Sequence, residues 1–164
     1  MEVRLTEASD WALLKQVRLA ALLDAPTAFG VSYASAAAYT DEQWQQRAGA
    51  TSTAGPEFWL ALIDGKAVGM IGGGISRTER YNLIGMWVEP GLRGSDIAST
   101  LVQTVTSRAL QKGHAQVFLD VSPDNLRAAS FYRRQGFVFI DETEALASFP
   151  HITVQTMVWT APGR

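Results

Sequence analysis

Val88-Glu89-Pro90-Gly91-Leu92-Arg93-Gly94-Ser95-Asp96-Ile97-Ala98 is the stretch on which the fold turns. It follows an apolar run, Leu83 to Val88, that reads as a strand. It leads into Ile97, Leu101, Val105 and Ala109, which recur at helical spacing. A strand passing through a compact Pro-Gly turn into a long helix is a joint of α/β architecture. The first N–H groups of that helix have no internal partner, and its dipole favours an anion there. Gly94 allows close backbone approach and Arg93 brings a positive charge, so the segment can cradle a pyrophosphate. It can equally be an ordinary strand-to-helix turn.

Downstream, the helix runs from about Ser95 to Lys112 and stops at Gly113, where a C-terminal glycine belongs. Val117 to Val121 reads as a strand, Asn125 to Gln135 as a helix closed by Gly136, and Phe137 to Ile140 as a strand. After a loop, Val154 to Trp159 is the last strand. Upstream, Phe58 to Ile63 and Ala67 to Ile75 flank Asp64-Gly65, a tight hairpin turn. Gly72-Gly73-Gly74 inside the second of these strands suggests a bulge or a close backbone approach. Val3 and Leu5 mark a first strand. Ser9 or Asp10 then caps a helix carrying Leu13, Leu14, Val17, Ala20 and Ala21, which ends near Asp24-Ala25-Pro26. Residues 26 to 34 read as an irregular connection. Thr40 and Gln43 have capping-box spacing ahead of a short helix through Trp44 and Arg47, and Gly49 to Pro56 reads as a loop. The order predicts one α/β domain spanning 1–164, with a sheet of mixed direction and helices on both faces.

Composition narrows the function classes. Apolar residues at 47% and charged residues at 18% describe a globular chain, and 164 residues suffice for one core. The net charge of −2 is spread along the chain, so no nucleic acid and no anionic membrane surface is expected as a partner. With no cysteine there is no disulfide framework, thiolate metal site or cysteine nucleophile. The two histidines are far apart in sequence, so no metal site is expected. Met1 to Asp10 lacks a signal-peptide core and no stretch reaches membrane-spanning length, so the expected location is cytoplasmic.

A second segment, Asp124-Asn125-Leu126-Arg127-Ala128-Ala129-Ser130-Phe131-Tyr132-Arg133-Arg134-Gln135-Gly136-Phe137, puts Asn125 at a helix cap. Tyr132 lies two turns on along nearly the same face, so its hydroxyl and the Asn125 amide can address one ligand. Together the two segments resemble the GNAT superfamily of acetyl-coenzyme A-dependent N-acyltransferases. Val88, Pro90, Arg93, Gly94 and Ala98 match its first pattern, and Asn125, Ala128, Tyr132, Gly136 and Phe137 its second. The order of elements from residue 3 to 159 is similar as well.

The resemblance implies a GNAT-like, mostly antiparallel sheet of about seven strands with helices on both faces. It implies acetyl-coenzyme A as co-substrate, with its pyrophosphate on the backbone of Arg93, Gly94, Ser95, Asp96, Ile97 and Ala98. Met86, Trp87 and Val88 would pair their backbone with the pantetheine arm, and an N–H there would polarise the acetyl carbonyl. Asn125 would contact the cofactor near the pantetheine. Tyr132 would be the general acid, protonated at neutral pH and able to donate to the departing thiolate. One position departs from the family: Asp96 stands where glycine is usual. Its carboxylate either weakens phosphate binding from the solvent side or caps the helix and occupies the N–H groups. Aspartate also tolerates a left-handed conformation.

Removing a proton from the attacking amine requires a base, and Glu79, Glu89, Asp120 and His114 are the candidates. Asp120 is favoured because it interrupts an apolar strand, pointing opposite to Leu119 and Val121; it can also be a structural hydrogen-bonding partner. Glu89 reads as a solvated turn residue, and His114 and His151 as surface residues. Phe29, Tyr33, Tyr39, Trp44 and Phe149 fall where the resemblance places the acceptor pocket, although core packing is the commoner use of aromatics. The expected acceptor is a small-molecule amine. A protein or peptide N-terminus and a non-catalytic coenzyme A-binding module are the alternatives. Family members are often dimers, and no segment here marks an interface.

Overall fold

The computed structural model describes residues 1–29, 31–49, 55–76 and 78–163. Seven strands are present: β1 (Glu2–Leu5), β2 (Glu57–Ile63), β3 (Lys66–Ile75), β4 (Tyr81–Val88), β5 (Gln116–Val121), β6 (Val138–Leu146) and β7 (Phe149–Thr160). They form one sheet in the order β1-β2-β3-β4-β5-β7-β6. Every neighbouring pair is antiparallel except β4 and β5, which run parallel. The helices are α1 (Trp11–Asp24), α2 (Tyr33–Ala37), α3 (Asp41–Ala48), α4 (Ile97–Gln111) and α5 (Leu126–Arg134).

Local chemistry accounts for most boundaries. Asp64 and Gly65 both have positive φ, 51° and 78°, which gives a two-residue turn the twist its strands need. At α3, Thr40 Oγ1 accepts from Gln43 N at 3.1 Å and Gln43 Oε1 accepts from Thr40 N at 2.9 Å, closing the capping box.

Alternation along the strands separates two cores. Leu83, Val117, Leu119, Val121 and Met157 pack with Leu101, Val102 and Val105 of α4 and with Tyr132 of α5. On the other face Phe58, Leu60, Met70 and Trp87 pack with Leu14, Val17 and Leu22 of α1 and Trp44 of α3. Helices thus cover both faces.

The parallel seam is where the sheet opens. β4 and β5 share one register pair, Asn82 with Phe118. Between the pairs Met70–Trp87 and Gly72–Ile84, Gly85 and Met86 stand opposite the single residue Ile71. This bulge, with Gly85 at φ 60°, bends β4 as it leaves β5.

Three expectations change, and one pair of alternatives is resolved. Residues 141–153, read as a loop, are strand for most of their length and lengthen β6 and β7 into a hairpin. β6 ends the sheet and is largely exposed, so Asp141 to Glu144 need no apolar alternation. Residues 33–37, given no helix, form α2, one turn capped by Ser32 and too short to show a period. Neither Ser9 nor Asp10 caps α1 with its side chain: Asp10 turns back to accept from Glu7 N at 3.0 Å and Arg4 Nη2 at 2.5 Å. The glycine run in β3 is a close approach, since a Cβ on Gly72 would meet Phe58 and Ile84 below 3 Å. Of the expected loop at 49–56, residues 50–54 lie outside the described residues. Among the described residues, no helix is long and apolar enough to cross a membrane.

Candidate functional site

Where β4 and β5 part, a cleft of about 1620 Å³ opens through the sheet. Met86, Trp87, Val88, Arg93, Gly94, Ser95, Asp96, Ala98, Asp120, Asn125 and Tyr132 all line it, so nearly every expected site residue is brought to one place. Ile97 does not line it; its side chain is buried in the core beneath α4.

The loop after β4 is held from below. Arg93 Nε donates to the Val88 carbonyl at 3.1 Å, and Arg93 Nη2 is paired with the Asp24 carboxylate at the end of α1. Trp87 Nε1 donates to the same carboxylate at 3.0 Å. The Trp87 hydrogen bond, then that of Arg93, hold Asp24 below the usual carboxylate range. Arg93 is therefore a brace with a counter-ion, which corrects its reading as a charge left for phosphate.

Gly94 sits at φ 88°, and a Cβ there would meet nothing within 4 Å. The backbone requires glycine, and the space beside it is open. Asp96 occupies the cap position of α4 at φ −76°, ψ −2° and makes no side-chain cap hydrogen bond. Its side chain is exposed. No left-handed conformation is needed, and capping by Asp96 does not occur. Ser95 Oγ donates to the Leu92 carbonyl at 2.6 Å and accepts a long hydrogen bond from Ile97 N at 3.5 Å. A helix start that the Asp96 side chain leaves open, an open glycine and a β4 backbone past its last pair with β5 fit a long phosphate-bearing cofactor such as acetyl-coenzyme A.

α5 brings two residues to the same cleft. Asn125 Oδ1 accepts from Ala128 N at 3.2 Å, so the amide oxygen is used as a cap. Its Nδ2 group remains a donor, and the residue lines the cleft. Tyr132 packs edge-on against Phe131 and Phe137, and burial pushes its hydroxyl above the ordinary tyrosine value. It holds its proton throughout the neutral range.

The opposite mouth of the cleft lies on the α1 face. Phe118 and Asp120 alternate with the core residues of β5 and so point that way. Asp120 Oδ1 accepts from Thr156 Oγ1 at 2.7 Å. Glu144 of β6 is held above the usual carboxylate range by the Asp120 charge and by a hydrogen bond between the two side chains. Two carboxyl groups within reach of one proton, on the cleft wall, are equipped to accept a proton from an amine. Of the other base candidates, Glu89 is paired with Lys66 at 3.4 Å on the surface, and neither Glu79 nor His114 lines the cleft. His151 is exposed, as its surface reading has it, and also lines the cleft. Among the expected pocket aromatics, Trp44 is core, Tyr33 is exposed, and Phe29 is buried while lining the cleft. Ser148 Oγ donates to the Phe29 carbonyl at 2.7 Å, tying the connection after α1 to the β6–β7 turn across this mouth.

Sequence reasoning missed Asp24, Arg18, Glu144 and His151. Glu144 and His151 fell in a stretch read as a loop, and Asp24 and Arg18 on a helix whose apolar face was the only legible signal. Among the described residues, no group of three or more acidic or histidine side chains could hold a metal.

Comparison with known proteins follows the same lines. The chain matches the family model for the acetyltransferase (GNAT) family over residues 19–137. N-acetyltransferase 8 from Homo sapiens is 34% identical over 91 residues, 52% of this chain and 40% of that protein. The chain thus spans well under two thirds of the length of the curated relatives it matches. The yncA structure from Salmonella typhimurium, solved with its cofactor acetyl-CoA, has a TM-score of 0.80 at 13% identity, covering 100% of this chain and 95% of that one. Ribosomal-protein-alanine N-acetyltransferase from Brucella melitensis has a TM-score of 0.76 at 18% identity, covering 98% and 99%. At these identities the structural likenesses establish the fold.

Proposed function

This chain belongs to the GNAT acetyltransferase family, and from that premise we propose that it acetylates a primary amine of a small molecule by direct attack on acetyl-CoA. Acetyl-CoA, when bound, supplies an acetyl group already activated as a thioester. The residues of this chain have three tasks. The start of α4 and the loop at Gly94 present backbone N–H groups to the pyrophosphate. Backbone N–H groups of β4 beyond the bulge hold the extended arm and donate to the acetyl oxygen. Tyr132 keeps a proton at its hydroxyl for the departing sulfur, while Asp120, with Glu144 beside it, takes one from the amine.

The observation that carries this reading is the split seam with different chemistry at its two mouths. The start of α4 and Tyr132 lie on the α4–α5 side, and the carboxyl pair lies on the α1 side. The tie between Ser148 and Phe29 favours a small acceptor over a protein terminus, because it narrows the mouth that a polypeptide would cross. Retention of Tyr132 at the cleft speaks against a purely binding role.

The test is release of free thiol from acetyl-CoA across a panel of small amines and N-terminal peptides, with binding of acetyl-CoA followed by calorimetry. Saturable binding and turnover with small amines are expected. Turnover with peptides alone would replace the acceptor class, and binding without any turnover would leave a coenzyme A-binding module.

A further inference from the structure

Arg18 puts a charge in the middle of the inward, apolar side of α1. Leu14, Val17, Ala21 and Leu22 of that helix are buried in the core, and Arg18 emerges among them onto the cleft wall. Its Nε and Nη1 are shielded from solvent and have no hydrogen-bond partner. Nη1 reaches the β4 bulge, where a Cβ on Gly85 would lie 2.9 Å from it. Glycine there therefore serves the arginine as well as the turn.

Four other arginines are treated differently. Arg4, Arg80, Arg93 and Arg108 each meet a carboxylate, from Asp10, Glu142, Asp24 and Glu57. The charged neighbour of Arg18 is a second cation, Arg47, and Tyr39 is close by. Burial, and then Arg47, lower the Arg18 guanidinium to about 10, so it stays a cation at neutral pH. A shielded cation without a counter-ion is a liability for folding, and it is relieved by any anion brought to it.

We propose that Arg18 receives a carboxylate of the acceptor, so that the substrate is an amino acid or a close relative carrying both an amine and a carboxylate. The inference rests on the acetyltransferase reading of the same cleft. A guanidinium presents a planar fork of donors that suits a carboxylate. A phosphate would bring a second negative charge toward Asp120 and Glu144, which a carboxylate does not. The two ends of the substrate are accommodated on one face. Arg18 comes from α1, which covers the face to which Asp120 points, and Gly85 and Asp120 each lie within three residues of the Asn82–Phe118 pair. That is roughly 10 Å of strand at most. The carboxyl pair takes the ammonium end and Arg18 the carboxylate end.

The experiment measures equilibrium binding in the presence of coenzyme A, which does not depend on turnover. N-acetylated glycine, leucine, methionine and phenylalanine are each compared with the matching N-acetylated carboxamide. In the wild-type chain at least one acid should bind tenfold or more tightly than its amide. In Arg18→Met that ratio should fall to within twofold of unity while the melting temperature rises, because an uncompensated charge has been replaced by an apolar stem of similar length. Arg18→Lys keeps the charge but not the fork, and should give an intermediate ratio even if the Met variant fails to fold. Absence of acid preference in every pair, or a preference that survives intact in either variant, overturns the proposal. Thiol release measured with the free amino acids and their amides separates the two readings. Acid preference in binding without turnover sinks the transferase reading and leaves Arg18 standing. Turnover of acids and amides alike, with no Arg18-dependent difference, does the reverse.

Discussion

α4 and α5 both begin where a strand runs out at the cleft, α4 after β4 and α5 after β5. Each has an aspartate or asparagine at its cap position, and the two side chains behave in opposite ways. Asn125, at ψ 78°, folds its amide oxygen back to the Ala128 N–H. Asp96, at ψ −2°, is already in helical geometry and its carboxylate is not folded back. A cap side chain reaches the first turn only when its own backbone is outside the helical region. The residue type therefore does not decide whether a helix start is closed; the path of the preceding loop does. The Pro90–Leu92 turn and the left-handed Gly94 deliver Asp96 into helical geometry, leaving the α4 start open toward the cleft.

This contrast can be broken in three places. The largest effect belongs to the far end of α5. Tyr132→Phe should lower kcat by about 10²-fold, within the usual reach of a general acid, and leave acetyl-CoA affinity within a few-fold. Because burial pushes the Tyr132 hydroxyl up, its neutral form persists as pH rises, and it is lost only above the ordinary tyrosine range. A pH–rate profile should accordingly show no alkaline fall below about 10 that vanishes in the Phe variant. The next effect tests the closed helix start. Asn125→Ala should destabilise the fold by about 1 kcal/mol in denaturant unfolding, whereas Asn125→Ser should keep most of that stability. Lowered acetyl-CoA affinity in the Ser variant would show that Nδ2 also serves the ligand. The smallest effect tests the open start. A carboxylate held about 6 Å from a phosphate would repel it by ~0.7 kcal/mol in water, so Asp96→Gly should tighten acetyl-CoA binding about threefold by calorimetry. An unchanged dissociation constant would mean that the carboxylate is too far away to matter.

The turns and helix starts around α4 and α5 were legible in sequence because backbone requirements fix residue types there. Gly94, Gly113 and Gly136 take positive φ, and Pro90 and Asn125 mark turns and caps, so the pattern survives without side-chain detail. The wall of the cleft on the α1 face was far less legible. Asp120 could be picked out as a polar residue in an apolar strand, but its partner Glu144 lies on an exposed end strand where alternation carries no information. Arg93 was read as a charge for the ligand because its counter-ion, Asp24, comes from a helix 69 positions away. Arg18 looks like one more polar residue of an amphipathic helix until the bulge at Gly85 is seen to receive it. Long-range pairing decides what such groups do, and no local spacing encodes it.

The single pair between Asn82 and Phe118 has a consequence for how the chain avoids other chains. Strands with unpaired backbone groups are templates for aggregation when they lie on the rim of a sheet, and proteins blunt them with charge or proline. Here unpaired backbone lies in the middle of the sheet, walled by α4 and α5 on one side and by the connection after α1 on the other. Another protein's strand, with side chains on both faces, is too wide for such a slot. The same surface that would seed a fibril at the margin is safe at the centre, where only something as slender as an unbranched amide chain can add itself to the ladder.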